Sequence, residues 1–305
     1  MIRVGVFAGS GFAAPEDLRE KHSIAVLTPF GSPSSEVLLG TLAGVPVAMI
    51  QRHGPGHALA PHEINVRANV AALKLVGCRQ VVSFSAVGSL DEDIPPGSVV
   101  LVDQFIDKTV TRRSTFFGDG CVAHVPFGNP VCGCLVDSIF GAGQRAGIAP
   151  RRGGTYVVME GPQFSTRAES ALHRSWGASI IGMTAMPEAK LCREAELCYA
   201  LVALVTDYDC WHEDIAHVSA TTVSAVMKTN RGRALALLRE SLPALAQRNG
   251  PCPQGCDRVL DSSIMTDIDS IGEAVVQRLE CIAGRVLAQR TSPPPDIGAL
   301  QEADR

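Results

Sequence analysis

Two acids close the segment CYALVALVTDYDCW at 198–211: Asp207 and Asp209 flank Tyr208, with Trp211 just behind. A carboxyl group in such a place can deliver or take a proton if burial raises its pKa, and like charge two residues away adds to the effect. An Asp after a strand also caps helices and closes turns, so residue type leaves both roles open. QRHGPGH at 51–57 sets Arg52 beside His53, and the planar fork of an Arg suits an oxyanion. SFSAVGSL at 83–90 offers the Ser85 hydroxyl and backbone N–H groups at Ala86 and Gly88, and Thr184 follows SIIGM. In VFAGSGFAA the glycines let backbone N–H groups and the Ser10 hydroxyl approach a single phosphate or sulfate. Residues 9–14 of that loop also fit G-x-G-x-x-A, the weak form of a dinucleotide fingerprint, so a nicotinamide oxidoreductase is the competing class. Against it, the next element starts late, at Pro15, and no strand ending in an acid follows at the interval a ribose contact needs.

These residues share a location. Strands are expected at 2–7, 46–51, 80–84, 98–106, 155–162, 178–184 and 198–205, and each of the sites above follows or ends one of them. Helices are expected at 15–21, 63–76, 219–246 and 271–290, and RNGPCPQGC at 248–256 punctuates the chain before the last helix and a loose tail. The alternation predicts an α/β fold: a single domain with a mixed, mostly parallel β-sheet flanked by helices, catalytic over 1–248, with a helical appendage and tail over 249–305. In such sheets ligands bind at the carboxyl ends of the strands, where the donors and acids would converge.

The 305 residues are 46% hydrophobic and 19% charged, with a net charge of -4, which gives no electrostatic reason to expect nucleic acid or an anionic membrane as partner. The apolar start is too short for a secretory signal and nothing later approaches a membrane span, so a cytoplasmic protein is expected. Ten cysteines lie mostly in apolar segments and read as small core residues of a reducing compartment. Cys132-Gly-Cys134 and Cys252 to Cys256 lack the paired spacing of a zinc site, so no metal is expected.

The ordered segments AGSG, RHGPGH, PHEINVRANVAALK, SAVGSL, PPGSVVLVDQFID, EGPQFSTRAE, GMTAMPEAKLCREAELCYA and TDYDCW, spread over 4–243, resemble the nucleoside phosphorylase family in its trimeric branch, most closely the 5'-methylthioadenosine phosphorylases. The resemblance implies a homotrimer acting on a small-molecule nucleoside, with orthophosphate as co-substrate and no metal or organic cofactor. It implies Ser10, Arg52, His53, Ser85, Thr184 and the Ala86 N–H as phosphate ligands. Phe164 would pack on the base and Met183 against the ribose, Ser165, Asp207 and Asp209 would address the purine edge, and Ala220, Val223 and Ser224 would form the 5' pocket, closed by His124 and a C-terminal segment of a neighbouring subunit. The family usually has Gly in the place of Ala8, Tyr in the place of Val66 and a large aliphatic residue in the place of Ser224.

On that reading Asp207 protonates or shares the proton of purine N7, and phosphate held beneath C1' stabilises and then captures the ribosyl cation. The 6-oxopurine branch resembles the opposite choice, with Asn in the place of Asp207 and Glu in the place of Ser165, so adenine nucleosides are expected here. The alternatives are a 6-oxopurine or broad purine nucleoside phosphorylase and a phosphorylase of 5'-halo- or 5'-deoxyadenosine.

Overall fold

Apolar runs of Val, Ile, Leu and Ala become the inner strands of one sheet in the computed structural model, which describes residues 3–9, 12, 14–212 and 220–289, the side chains of 220–225 excepted. In chain order the elements are β1 (Arg3–Ala8), β2 (Arg19–Ile24), β3 (Val37–Leu42), β4 (Val45–Gln51), α1 (Val66–Leu75), β5 (Cys78–Ser89), β6 (Val99–Leu101), β7 (Gln104–Asp107) and α2 (Gly133–Arg145). They continue with β8 (Arg151–Arg152), β9 (Thr155–Val158), α3 (Arg167–Ser175), β10 (Ile180–Gly182), α4 (Ala185–Glu194), β11 (Cys198–Asp207), α5 (Ala220–Ala246) and α6 (Glu273–Leu287). Six strand pairings are parallel and four antiparallel among the described residues, which makes the sheet mixed and mostly parallel.

β5 is the strand on which the rest is organised. β11 pairs with it in parallel from Gln80 to Gly88. On the opposite edge β1 pairs as far as Ser83, and β10 takes over, antiparallel, at Gly88 and Ser89. The sheet therefore forks, and between Ser83 and Gly88 no strand among the described residues pairs with that edge of β5. β11 is buried from Cys198 to Thr206, which is why its sequence shows no polar alternation. One large core cluster runs from Val4 to Leu287, and α6 contributes Leu279, Ile282, Ala283, Val286 and Leu287 to it. No helix among the described residues is long and apolar enough to cross a membrane.

Three expectations change. Residues 15–21 form no helix; a turn leads into β2, which pairs antiparallel with β3 at the edge of the sheet. Seven residues, five of them charged, cannot nucleate a helix unaided, and an open strand edge offers backbone partners. The expected strand at 98–106 is two strands on different branches, with β6 on β11 and β7 on β9. Between them Asp103 accepts a hydrogen bond from Gly154 N–H at 3.0 Å as the chain crosses over. Finally, the cysteines are not scattered through the core. The sulfurs of Cys132, Cys198, Cys252 and Cys256 lie within 4.8 Å of one another.

Candidate active site

The fork in the sheet opens into a cleft of about 710 Å³ at the carboxyl ends of β4, β5, β10 and β11. Arg52 and His53 follow β4, Ser85 to Val87 are the unpaired edge of β5 with Gly88 just beyond it, Gly182 to Thr184 leave β10, and Asp207 ends β11; all of them line the cleft. The convergence expected from the sequence is therefore physical, and its cause is the change of neighbour along β5.

One wall is built from hydroxyls and a buried guanidinium. Arg52 is 2% exposed. Its Nε donates to Glu188 Oε2 at 2.8 Å, Nη2 to Ser83 Oγ at 2.6 Å, and Nη1 to Phe84 O at 3.2 Å, a carbonyl on the unpaired edge. Glu188 also accepts from Tyr199 Oη at 2.8 Å. The guanidinium is thus neutralised and mostly spoken for, which the sequence did not indicate. Gly9 explains the glycine loop: a Cβ there would lie 2.4 Å from Phe84 O and 2.9 Å from Arg52 Nη1, so only glycine lets the loop close against this pair. Ser85 Oγ lies 3.2 Å from Thr184 Oγ1 and 3.1 Å from Tyr156 Oη, three hydroxyls from three segments. Thr184 is the N-cap residue of α4 but makes no capping bond with its side chain, which leaves the hydroxyl to face Ser85. Burial, together with the Arg52 charge, pushes the His53 imidazole down to about 4, so the ring is neutral at pH 7. Its Nδ1 lies 2.9 Å from Leu59 O. A carbonyl can only accept, so Nδ1 carries the proton and Nε2 is an acceptor, not a second cation.

The opposite wall is acidic. A register shift between Val205 and Asp207 breaks the β11–β5 pairing at Thr206 and sets Asp207 across from Gly88. Burial raises the Asp207 carboxyl above its ordinary value, with Asp209 adding a smaller push and two hydrogen bonds opposing them. Those bonds come from Thr206 Oγ1 to Oδ2 at 2.6 Å and from Asp209 N–H to Oδ1 at 2.8 Å. Thr206 Oγ1 also lies 3.1 Å from Val87 O. Its one proton can serve Asp207 while the acid is ionised and Val87 once Asp207 is protonated and donates back, so both protonation states stay satisfied. A Cβ at Gly88 would fall 2.9 Å from Asp207 Oδ1. Asp209 sits in the left-handed region at φ 52, and its buried Oδ2 has no hydrogen-bond partner among the described residues. Trp211 fastens this turn: Nε1 donates to Ser89 O at 2.8 Å, and the Arg174 guanidinium lies 3.6 Å from its ring centroid.

Phe164 and Met183 line the cleft, Phe164 at its rim and 46% exposed. Ser165 is next to it, with Oγ 3.9 Å from the sulfur of Met159, a lining residue and a weak acceptor. Residues 3–243 match the phosphorylase superfamily. The chain belongs to that superfamily. Among curated members, this phosphorylase is 49% identical over 282 residues to the S-methyl-5'-thioadenosine phosphorylase of Geobacter sulfurreducens, covering 92% of this chain and 98% of that one. It is 46% identical to the enzyme of the same name from Bradyrhizobium diazoefficiens, with 93% and 98% covered. A crystal structure of a methylthioadenosine phosphorylase from an antarctic soil metagenomic library superposes with a TM-score of 0.86 at 42% identity over 92% of this chain and 98% of that one. The methylthioadenosine phosphorylase of Schistosoma mansoni in complex with adenine gives 0.83 at 34% identity, covering 87% and 99%.

Two described residues singled out in the sequence, Ser165 and His124, are not among those that line the cleft. Ser10 and the side chains of Ala220, Val223 and Ser224 lie outside the described residues. His124 is exposed and is not among the residues lining the cleft of its own chain; its N–H donates to Ser263 O at 2.8 Å. Four participants escaped the sequence reading: Glu188, Tyr156, His57 and Met227. His57 stacks on His53 with ring centroids 4.2 Å apart, and Met227, on α5, borders the cleft. The AMPEAK segment held the signal for Glu188, an acid among apolar residues, but its partner Arg52 is 136 positions away.

Proposed function

We propose that this phosphorylase cleaves 5'-methylthioadenosine with orthophosphate to give adenine and 5-methylthioribose 1-phosphate. The observation that carries the reading is the acid wall of the cleft. A half-buried Asp207, hydrogen-bonded in either protonation state, stands beside an Asp209 Oδ2 with no partner among the described residues. Adenine presents an amino group that can donate to such an acceptor, whereas the carbonyl of a 6-oxopurine would meet it oxygen to oxygen. The relatives at 49% and 46% identity carry the same substrate in their names.

In the reaction the C1'–N9 bond breaks with its electron pair going to the base, a phosphate oxygen bonds C1', and the proton needed at N7 comes from Asp207. Departure of a neutral base instead of an anion is what the raised carboxyl contributes. The Ser165 hydroxyl, whose partner among the described residues is the Met159 thioether, donates to N1 of the base. Phe164 covers the ring and Met183 the ribose.

Phosphate is held by hydroxyls and N–H groups rather than by a free cation. Ser10, Ser85, Thr184 and the Ala86 N–H donate, with Arg52 supplying the field of a buried pair and rigid support for the Gly9 loop. His53, neutral with Nε2 as acceptor, receives a hydrogen bond from the P–OH of a monohydrogen phosphate. No organic cofactor enters this chemistry. The 5' substituent lies in a pocket assigned to Ala220, Val223 and Ser224, and Met227 borders the cleft. His124 and a C-terminal segment of a neighbouring subunit in a homotrimer close it. The ten unpaired cysteines suit a cytoplasmic setting.

The test is adenine release from 5'-methylthioadenosine with and without orthophosphate, alongside inosine. Strict phosphate dependence and preference for the adenine nucleoside are expected; undiminished release in phosphate-free buffer would sink the proposal.

A further inference from the structure

Away from the cleft, four cysteines from three distant parts of the chain meet. Cys132 is the N-cap residue of α2, and its N–H donates to Tyr199 O at 2.8 Å, which docks it beside Cys198, the first residue of β11. Cys252 and Cys256 come from the loop after α5. That loop turns through Gly255 at φ 68, with Gly255 N–H donating to Cys252 O at 2.8 Å, so both cysteines are presented together. Cys132, Cys198 and Cys256 are buried and Cys252 is half-buried, and all four sulfurs lie within 4.8 Å of one another. Hydrophobic packing does not ask for this, since it has no reason to gather four sulfurs at one point. The spacing fits a tetrahedron: with metal–sulfur bonds of about 2.3 Å, sulfurs around zinc stand about 3.8 Å apart. Cys132 and Cys252 Sγ are 3.7 Å apart, far beyond the roughly 2 Å of a disulfide.

The surroundings match the charge of such a centre. Four thiolates around a divalent cation leave two net negative charges, and two guanidinium groups face the cluster. Arg248 Nη2 lies 3.7 Å from Cys132 Sγ, 3.9 Å from Cys252 Sγ and 4.0 Å from Cys198 Sγ. Arg193 Nη1 lies 3.5 Å from Cys256 Sγ. Cations donating to the ligand sulfurs are the outer shell a tetrathiolate needs, and neutral thiols would give them nothing to balance. A cavity of about 360 Å³ lined by Cys198, Arg248 and Cys252 opens beside the cluster and provides an entry path.

We propose that Cys132, Cys198, Cys252 and Cys256 form a structural zinc site that fastens the segment after α5 to the start of β11. A closed shell of four thiolates leaves no open position, so the site is structural and stands apart from the reaction. Soft thiolates in a tetrahedron also suit iron, and zinc is distinguished from it by analysis of the metal.

The test is metal analysis of the full chain expressed with zinc and purified under reducing conditions. About one zinc per chain is expected, released as a mercurial reagent titrates the thiols. Cys256→Ser should lose the zinc, whereas Cys134→Ser, next to the cluster but outside it, should keep it. Because a ligand variant can fail to fold, the unaltered protein is also exchanged with cobalt. The intense visible bands of tetrahedral cobalt tetrathiolate support the site, and the weak spectrum of an octahedral ion overturns it. Iron in place of zinc, no metal under these conditions, or mass-spectrometric detection of disulfides among the four cysteines would each overturn the assignment.

Discussion

Two opposing effects meet on the Asp207 carboxyl, the proton donor proposed above: burial raises it, and hydrogen bonds from Thr206 and Asp209 hold it in place. Asp207→Asn keeps the shape and removes the proton. Catalytic efficiency on 5'-methylthioadenosine should fall by at least about 10²-fold, the usual size of a general-acid contribution. Inosine should suffer less, since an amide can donate to its carbonyl; equal losses on both would refute the role. His53 makes a different prediction. Its folded-state value is about 4 against an ordinary 6.5, so between those values the unfolded chain binds the proton and the folded chain does not. Stability should therefore fall as pH drops through that window, by up to about 3 kcal/mol from this residue. His53→Gln can still donate to Leu59 O and should flatten that pH dependence. Urea denaturation midpoints at pH 7 and pH 5 for both proteins check it, and parallel losses would show that other groups are responsible.

Among the elements, β5 decides the site. β1 leaves it at Ser83 and β10 joins at Gly88, and the open stretch between supplies Phe84 O to Arg52, Ser85 to the hydroxyl cluster and Ala86 to the cleft. The register shift at the end of β11 then aims Asp207 over Gly88. Gly88→Ala would put a methyl 2.9 Å from Asp207 Oδ1 and 3.3 Å from both Asp209 N and Ile181 Cγ2. Three elements would have to move. Overpacking of this kind costs about 1–3 kcal/mol of stability, and displacing a catalytic group by about 1 Å costs on the order of 10²-fold in rate. Thermal denaturation and kcat measured together on Gly88→Ala test this; a variant that lost stability and kept full kcat would show that Asp207 needs no such placement.

At the scale of the whole molecule, the proposed homotrimer makes predictions at the rim of the cleft. Phe164 is half-exposed at its rim, and His124 stands on the surface away from it. A homotrimer that brings a neighbour's segment to the rim should show three times the chain mass by light scattering, and Phe164 fluorescence-silent burial can be followed by hydrogen exchange of its segment on dilution. The 5' pocket belongs to the same scale, since α5 and the neighbour would form it together. Ser224→Leu should tighten the preference for 5'-methylthioadenosine over adenosine by about 1–3 kcal/mol, as methylene-scale changes in apolar pockets do. Catalytic efficiencies on both nucleosides decide it, and unchanged ratios would remove Ser224 as a specificity determinant.

The sequence alone determined what depends on local pattern. The apolar run before Asp207 can only be an inner strand, and the glycines, hydroxyls and acids that follow strand ends mark where a ligand lies in such a sheet. The capping box of Thr166 and Glu169, which starts α3, is equally local. Tertiary structure decided what depends on partners far apart in the chain. Arg52 reads as a fork for an oxyanion until Glu188 is found against it, and nothing near His53 in the sequence shows that burial and Leu59 O hold its ring neutral. Residues 15–21 read as helical until the edge of β3 claims the chain that follows. The four cysteines show no motif because their ligand geometry is assembled from α2, β11 and a loop more than fifty residues further on. Spacing along a chain reports on neighbours within a few turns; charge neutralisation, desolvation and ligand geometry are set by what folding brings within a few ångströms.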